Sequence, residues 1–178
     1  MKSQTLDTRL HIHYPLKLYT DGGMIFKNPS PYGVTCAFAL VKDDHLIHKE
    51  SYLIVGNDLN TNNQSELLAI VFGLEFLHFI SENSIAEICS DSDASIRRTF
   101  LGGSMNNVPQ WIQNRLLNVQ EGLKYWNKFS YTLLGGHPTR TSLKKGTNAK
   151  GQPVSRWNAL CDELCRQESQ KFLETLNR

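Results

Sequence analysis

A chain of 178 residues, 40% of them hydrophobic, carries a formal net charge of only +2. That is material for one sizeable core and one domain rather than two, and the charge balance by itself names no partner. No apolar run approaches the ~20 residues of a membrane-spanning helix, and the first residues lack the apolar stretch of a secretion signal. The expectation is therefore a soluble cytoplasmic protein without membrane association, working as a monomer with no obligatory protein partner.

Met1 to Tyr14 is polar and mixed, with His11 and His13 flanking Ile12, and reads as an arm over residues 1–14 that precedes a single domain over 15–178. In Lys17 to Gly23, Leu18 and Tyr19 suit a buried central strand that delivers Asp21 into the glycine pair Gly22-Gly23. A carboxylate at such a strand end sits half out of water and needs something positive to neutralise it. The same Asp-Gly-Gly is equally at home in a hairpin turn. Met24 to Gly33, with Asn28-Pro29-Ser30-Pro31, is a loop. Val34 to Val41 reads as a buried strand, Asp43-Asp44 as a turn, and His45 to Val55 as a returning strand. Connections this short make an antiparallel meander, because they cannot cross over to a parallel neighbour.

A helix is expected from Asn62 or Asn63 to about Ile80. Leu67, Ile70, Val71, Leu74 and Leu77 form one stripe, and Leu68, Phe72, Phe76 and Phe79 nearly complete the circle, so the helix must pack on a sheet. Glu66 falls in its first turn on this reading, where a carboxylate also favours the helix N-terminus by roughly 0.3–1 kcal/mol. Ala86 to Ser90 is a further strand that ends at Asp91, with Ser92 and Asp93 opening a short helix through Phe100. Strand, helix, strand is a crossover unit, so this part of the sheet should be parallel. Val108 to about Trp126 carries the amphipathic set Trp111, Ile112, Leu116, Val119 and Leu123. Phe129 to Leu134 is the last strand and stops at Gly135-Gly136-His137-Pro138.

Residues 139–156 hold Arg140, Lys144, Lys145, Lys150 and Arg156 and no acid, and read as a polar loop that is either a solvated surface or a phosphate-contacting flap. A final helix from Ser155 to about Leu176 should bury Trp157, Leu160, Cys161, Leu164 and Phe172. Asn158 and Asp162, four apart, share one of its faces. The four cysteines, Cys36, Cys89, Cys161 and Cys165, lie in apolar segments without CxxC spacing, which argues for buried thiols and against a zinc site or a disulfide set.

Two strand ends, Asp21 and Asp91, and two helix starts, Glu66 and Asp162, can converge at one rim of an open α/β sheet. Four acids in one place repel unless divalent cations sit between them, and hard oxygen donors select Mg²⁺ or Mn²⁺. Two such ions about 3.5–4 Å apart align the attacking water and the leaving oxygen of a phosphodiester. Phosphodiester hydrolysis is the chemistry implied.

Tyr19-Thr20-Asp21-Gly22-Gly23, the Asn28 to Gly33 loop, Thr61-Asn62-Asn63-Gln64-Ser65-Glu66-Leu67, Ser90-Asp91-Ser92 and Asn158 to Leu164 resemble, in order and context, the type 1 ribonuclease H family. The resemblance spans Leu16 to Cys165. It implies an α/β fold with a five-stranded mixed sheet, an antiparallel meander plus parallel strands, flanked by helices. It also implies endonucleolytic hydrolysis of the RNA strand of RNA/DNA hybrids with two Mg²⁺, leaving 5′-phosphate and 3′-hydroxyl ends. Asp21, Glu66, Asp91 and Asp162 then resemble the metal ligands, with Asp21 shared, Glu66 and Asp91 completing one site and Asp162 holding the other. His137 resembles a mobile histidine that assists product release or proton transfer. Asn62, Asn63 and Asn158, with Gln64 in the same motif, look like the polar residues facing the hybrid, and Thr61 like a DNA-phosphate contact. Amides both donate to and accept from 2′-hydroxyls, although Asn62 or Asn63 suits helix capping equally well.

The chain departs from the family pattern in two places. Leu101 to Pro109 is uncharged, where some members carry a lysine-rich protrusion. The interval from His137 to Asp162 is longer than usual and holds the basic insertion, so Lys144, Lys145 and Lys150 are expected to replace the missing grip. Rival nucleases of the same broad fold fit less well: the exonuclease pattern needs Glu two residues after the first Asp, where this chain has Gly23. Transposase-type sites lack a counterpart of Glu66. The rival of another class is a catalytically silent module that binds hybrid or double-stranded RNA, and it should have lost a ligand.

Overall fold

The computed structural model describes residues 16–56, 58–80, 85–124 and 128–176; the arm over 1–14, with His11 and His13, lies outside them. Strands β1 (Leu16–Met24), β2 (Gly33–Lys42) and β3 (His45–Val55) form the expected antiparallel meander. Strands β4 (Ile85–Ser90) and β5 (Lys128–Leu133) add in parallel, so the five-stranded sheet runs β3-β2-β1-β4-β5. β1 is central, antiparallel to β2 on one side and parallel to β4 on the other.

β1 and β2 read as near-continuous apolar runs because both sheet faces are covered. Alternation then sorts their side chains. Leu18, Phe38 and Leu40 join a core with helix α1 (Asn62–Ile80) and helix α3 (Gln110–Leu123), which contributes Ile112, Leu116, Val119 and Leu123. Tyr19, Ala37, Ala39 and Val41 face the other way, against Cys161 and Cys165 of the last helix, Arg156–Leu176. The short helix α2 (Asp93–Phe100) opens on Ser92, whose hydroxyl accepts from Ser95 N, and packs on α1. All four cysteines are buried free thiols, and no described helix is long and apolar enough to cross a membrane.

Several expectations change. Asp-Gly-Gly is no turn: β1 continues through it, pairing Gly22 with Cys36 and Gly23 with Thr35. Phe79 is 87% exposed rather than part of the helix's covered surface, since α1 has by then run past the sheet. On the last helix only Asn158, Cys161 and Cys165 are buried. Trp157, Leu160, Leu164 and Phe172 are half-buried, and the Trp157 indole N–H donates to Asp44 Oδ1 at 2.8 Å.

The basic stretch is also not all loop. Its first part is helix α4 (Arg140–Lys145), making the final helix α5. Thr139 Oγ1 accepts from Ser142 N at 3.1 Å to start α4, and Gly146 closes it. Such a cap satisfies backbone donors that a polar loop would leave to water. A short turn follows, bridging Thr147 to Pro153, with Asn148 Oδ1 accepting from the N–H groups of Lys150 and Gln152.

Gly22 sets how closely α1 lies on β1. A Cβ there would stand 2.3 Å from Glu66 N and 2.5 Å from Ser65 C, too close for any contact between unbonded atoms. Gly22→Ala should therefore cost about 1–3 kcal/mol through forced backbone movement, read as a lowered urea midpoint; an unchanged midpoint would show that the contact is slack.

Candidate active site

The register between β1 and β4 builds the site. Thr20 pairs with Ser90 as the last pair of the parallel ladder. One residue on, Asp21 and Asp91 therefore stand side by side, Asp91 on the turn into α2. Glu66 reaches the same place from α1 across Gly22, whose N–H donates to Asp21 Oδ1 at 2.9 Å and Glu66 Oε2 at 3.1 Å. Carboxylate oxygens of Asp21, Glu66 and Asp91 all lie within 4.8 Å of one another. Asp21 is 6% and Glu66 5% exposed, so Asp21 is buried rather than half out of water.

Glu66 is the fifth residue of α1, one position past the first turn where the sequence reading placed it, and no acid occupies that turn. The helix N-terminus therefore does not hold it. Gly22 N and the Asn62 amide, 3.2 Å from Glu66 Oε1, do so instead. Asp162 lines the same cleft from α5 but stands outside the three-carboxylate set, with Arg166 Nε 3.9 Å from its Oδ2.

Burial and mutual repulsion govern the protons. Burial first, then Asp91 and Asp162, pushes Asp21 up to about 8. Glu66 is raised well above its ordinary value by burial and by Asp21 and Asp91. Burial also raises Asp91, while His137 and the Asn158 amide pull it back down. Among the described residues no Lys or Arg pairs with any of the three, and Asp91 Oδ1 is buried without a hydrogen-bond partner. Clustered hard oxygen donors, an orphaned carboxylate oxygen and uncompensated negative charge fit a divalent cation.

The cleft above the cluster encloses about 860 Å³ and is lined by Asn62, Asn63, Ser92, His137, Arg166 and Gln170 besides the acids. His137, exposed and at φ +47°, does reach the site, because the chain at Gly136 runs directly over Asp91: a Cβ there would meet Asp91 Oδ2 at 2.6 Å. The other expected contacts divide. Thr61 lies at the start of α1 without lining the cleft. Gln64 is a correction: it is 8% exposed, its Oε1 accepts from Asn60 N and Thr61 N, and its Nε2 donates to Asn107 O at 2.7 Å. Its amide is spent on the helix start rather than on a substrate. Asn158 is a second correction, since at 2% exposure it supports Asp91 from beneath instead of facing the hybrid. Lys144, Lys145 and Lys150 do not line the cleft.

Arg166, Ser169 and Gln170 were missed by the sequence reading, although they follow Asp162 at the spacing of one helix face.

The chain is similar to RNase H1 from the halophilic archaeon Halobacterium salinarum, with a TM-score of 0.56 and 21% identity over 85% of this chain and 98% of that one. The fold is that of ribonuclease H. The same ribonuclease H architecture appears in LC11-RNase H1, solved in complex with an RNA/DNA hybrid: TM-score 0.61 and 20% identity, over 89% of this chain and 99% of that one. The prototype foamy virus RNase H domain gives 0.60 and 19% over 89% and 96%. No family model and no curated protein matches the chain.

The raised Asp21 value sets a pH dependence. Its folded value, about 8, lies above the ordinary aspartate value of 3.8, so folding retains a proton that the unfolded chain gives up. Stability from this group is full below the unfolded value and is lost as pH rises through the folded one. The metal-free chain should therefore lose thermal stability from about pH 4 to about pH 8, and Mg²⁺ should restore most at the alkaline end. A melting temperature that is flat across this range, or a Mg²⁺ gain largest in acid, would contradict the assignment.

Proposed function

We propose that the chain is a divalent-metal-dependent endonuclease that hydrolyses the RNA strand of RNA/DNA hybrids to 5′-phosphate and 3′-hydroxyl ends. The observation that carries this reading is the cluster of Asp21, Glu66 and Asp91 at the floor of an open polar cleft, on a fold shared with RNase H1 structures. Asp21, Glu66, Asp91 and Asp162 would hold two Mg²⁺, with Mn²⁺ suited to the same donors. When bound, the ions supply Lewis-acid charge for the phosphate and activate water at neutral pH.

The chain's own residues do the rest. Asp21 is the natural shared ligand, because its charge interacts with Asp91 and Asp162 and its carboxyl hydrogen-bonds with Glu66. Gly22 N and Asn62 aim the Glu66 carboxylate, and Asn158 does the same for Asp91. Asn62 and Asn63 offer amides at the cleft wall to the sugar edge of the RNA, with Thr61 beside them for a DNA phosphate. His137, at the mouth beside Asp91, can carry a proton to or from the reacting phosphate oxygens or loosen the product. One chain supplies all four carboxylates, so the reaction needs no second copy. A silent module is the poorer reading, since no ligand of the cluster is missing.

An RNA/DNA hybrid labelled on the RNA strand should be cut internally with Mg²⁺ and left intact with EDTA, while duplex DNA and duplex RNA survive both. Asp91→Asn should keep hybrid binding and lose about 100-fold or more in rate, the loss of several kcal/mol of charge stabilisation. Hybrid binding without cutting under any metal would sink the hydrolase reading.

A further inference from the structure

Seven lysine and arginine side chains among the described residues are held in ion pairs. Lys17 pairs with Glu87, Arg97 with Asp93, Arg115 with Glu75, Lys124 with Glu121, and Lys171 with Glu168. Arg166 is taken by Asp162 and Glu163. Arg156, counted in the sequence among the cations of the basic insertion, is held at 2.7 Å by Asp44 Oδ2 and lies over the Trp157 ring. What remains in the insertion is Arg140, Lys144, Lys145 and Lys150. All four are exposed, and none has an acidic partner among the described residues. Exposed cations repel one another, so four within eleven residues without one acid raise the local positive potential.

The insertion is also built rather than slack. It comprises α4, capped at both ends, and the turn organised by Asn148. Its return strand is tied back by Gly135 N donating to Pro153 O at 2.8 Å and Val154 N to Gly146 O at 3.1 Å. Asn148 packs so tightly on Gly135 that a Cβ there would stand 2.3 Å from its Nδ2. Both ends of this appendage meet the catalytic cluster: the chain leaves it at Gly136 and His137 and returns at Asn158, and all three border Asp91. Arg140 follows His137 by three residues, and Lys144 lines a separate hollow with Tyr19, Asp44, Arg156 and Trp157, so the charges stand outside the cleft.

We propose that α4 and the turn after it form a phosphate clamp: Arg140, Lys144, Lys145 and Lys150 hold the sugar-phosphate backbone of the duplex where it leaves the cleft. The inference rests on the nucleic-acid reading above and adds the surface that supplies affinity. Backbone contacts carry no base information, so the clamp grips any sequence equally. Lysine suits this task as a mobile point charge, whereas a fixed carboxylate partner would cancel it.

The test is fluorescence anisotropy of a labelled RNA/DNA hybrid over a salt series in EDTA, where cleavage is blocked. Each phosphate contact contributes about 0.7–0.9 to the slope of log K against log salt. Replacing Lys144, Lys145 and Lys150 together by Ala should thus reduce the slope by about 2–3. Replacing them by Arg should leave it nearly unchanged. Alanine is a good helix former and no ion pair of these lysines is lost among the described residues, so the appendage should stay folded. A control triple, Lys27→Ala, Lys42→Ala and Lys49→Ala, removes the same charge from exposed sites elsewhere and should move the slope far less. Equal effects from the two triples, or an unchanged slope in the first, would overturn the clamp and leave the hydrolase reading standing. A native chain that binds no hybrid at any salt concentration would overturn both.

Discussion

One backbone N–H, that of Gly22, donates to both Asp21 and Glu66, and it can do so only because a strand and a helix approach more closely there than any side chain would permit. The rest of the site follows from that contact. It brings Glu66 to β1, and the β1–β4 register brings Asp91 beside Asp21. The turn at Gly136 then lays His137 over Asp91. Each carboxylate is aimed by main chain or by a neutral amide, so geometry is set without neutralising the charge that a metal would use.

That arrangement costs stability. Two buried acids and a half-buried one, with no Lys or Arg paired to them among the described residues, are all raised above their ordinary values, and the surrounding fold must offset this. It does so with two apolar layers, one on each face of a sheet in which β2 is buried from Gly33 to Val41 and β1 from Leu18 to Asp21. The small inward residues Ala37 and Ala39 let α5 lie close to the sheet, and α5 carries Asp162 to the cleft. Cys161 and Cys165 fill the space between, their thiols beside the carbonyls of Tyr19 and Asp21. Burial and repulsion by the acids raise both thiols far from ionisation, so they serve as inert packing beneath the cluster.

The strands, the antiparallel meander and the strand-end carboxylates were legible in the sequence because they rest on short-range signals: apolar runs, Gly and Pro breaks, and an acid at the end of a run. Asp21 and Asp91 needed no more than that, whereas Asp162, the seventh residue of α5, was read from its helix spacing to Asn158. Glu66 was legible as a residue but not in its setting, since a one-residue difference in where α1 starts decides whether the helix terminus or Gly22 holds it. Asn158 and Gln64 were misread because an exposed amide and a buried supporting one look alike in a sequence; only burial separates them. Helix α4 was hidden by its charge, although Thr139 and Gly146 mark its two ends. The half-buried Trp157 and Phe172 show the converse, since large apolar residues on α5 outnumber the positions its one covered face provides.

The central claim is that Asp21 and Glu66, whose carboxyls burial and repulsion raise, give up protons when a divalent cation binds between them and Asp91. Calorimetric titration of Mg²⁺ into the chain near neutral pH, in two buffers of different ionisation heat, reads this directly. Metal binding to protonated ligands releases protons, so the apparent binding heat should change with the buffer, and Asp21→Asn should abolish both binding and release. Mg²⁺ binding with no proton release, or binding that survives Asp21→Asn unchanged, would place the metal elsewhere and contradict the assignment of the site.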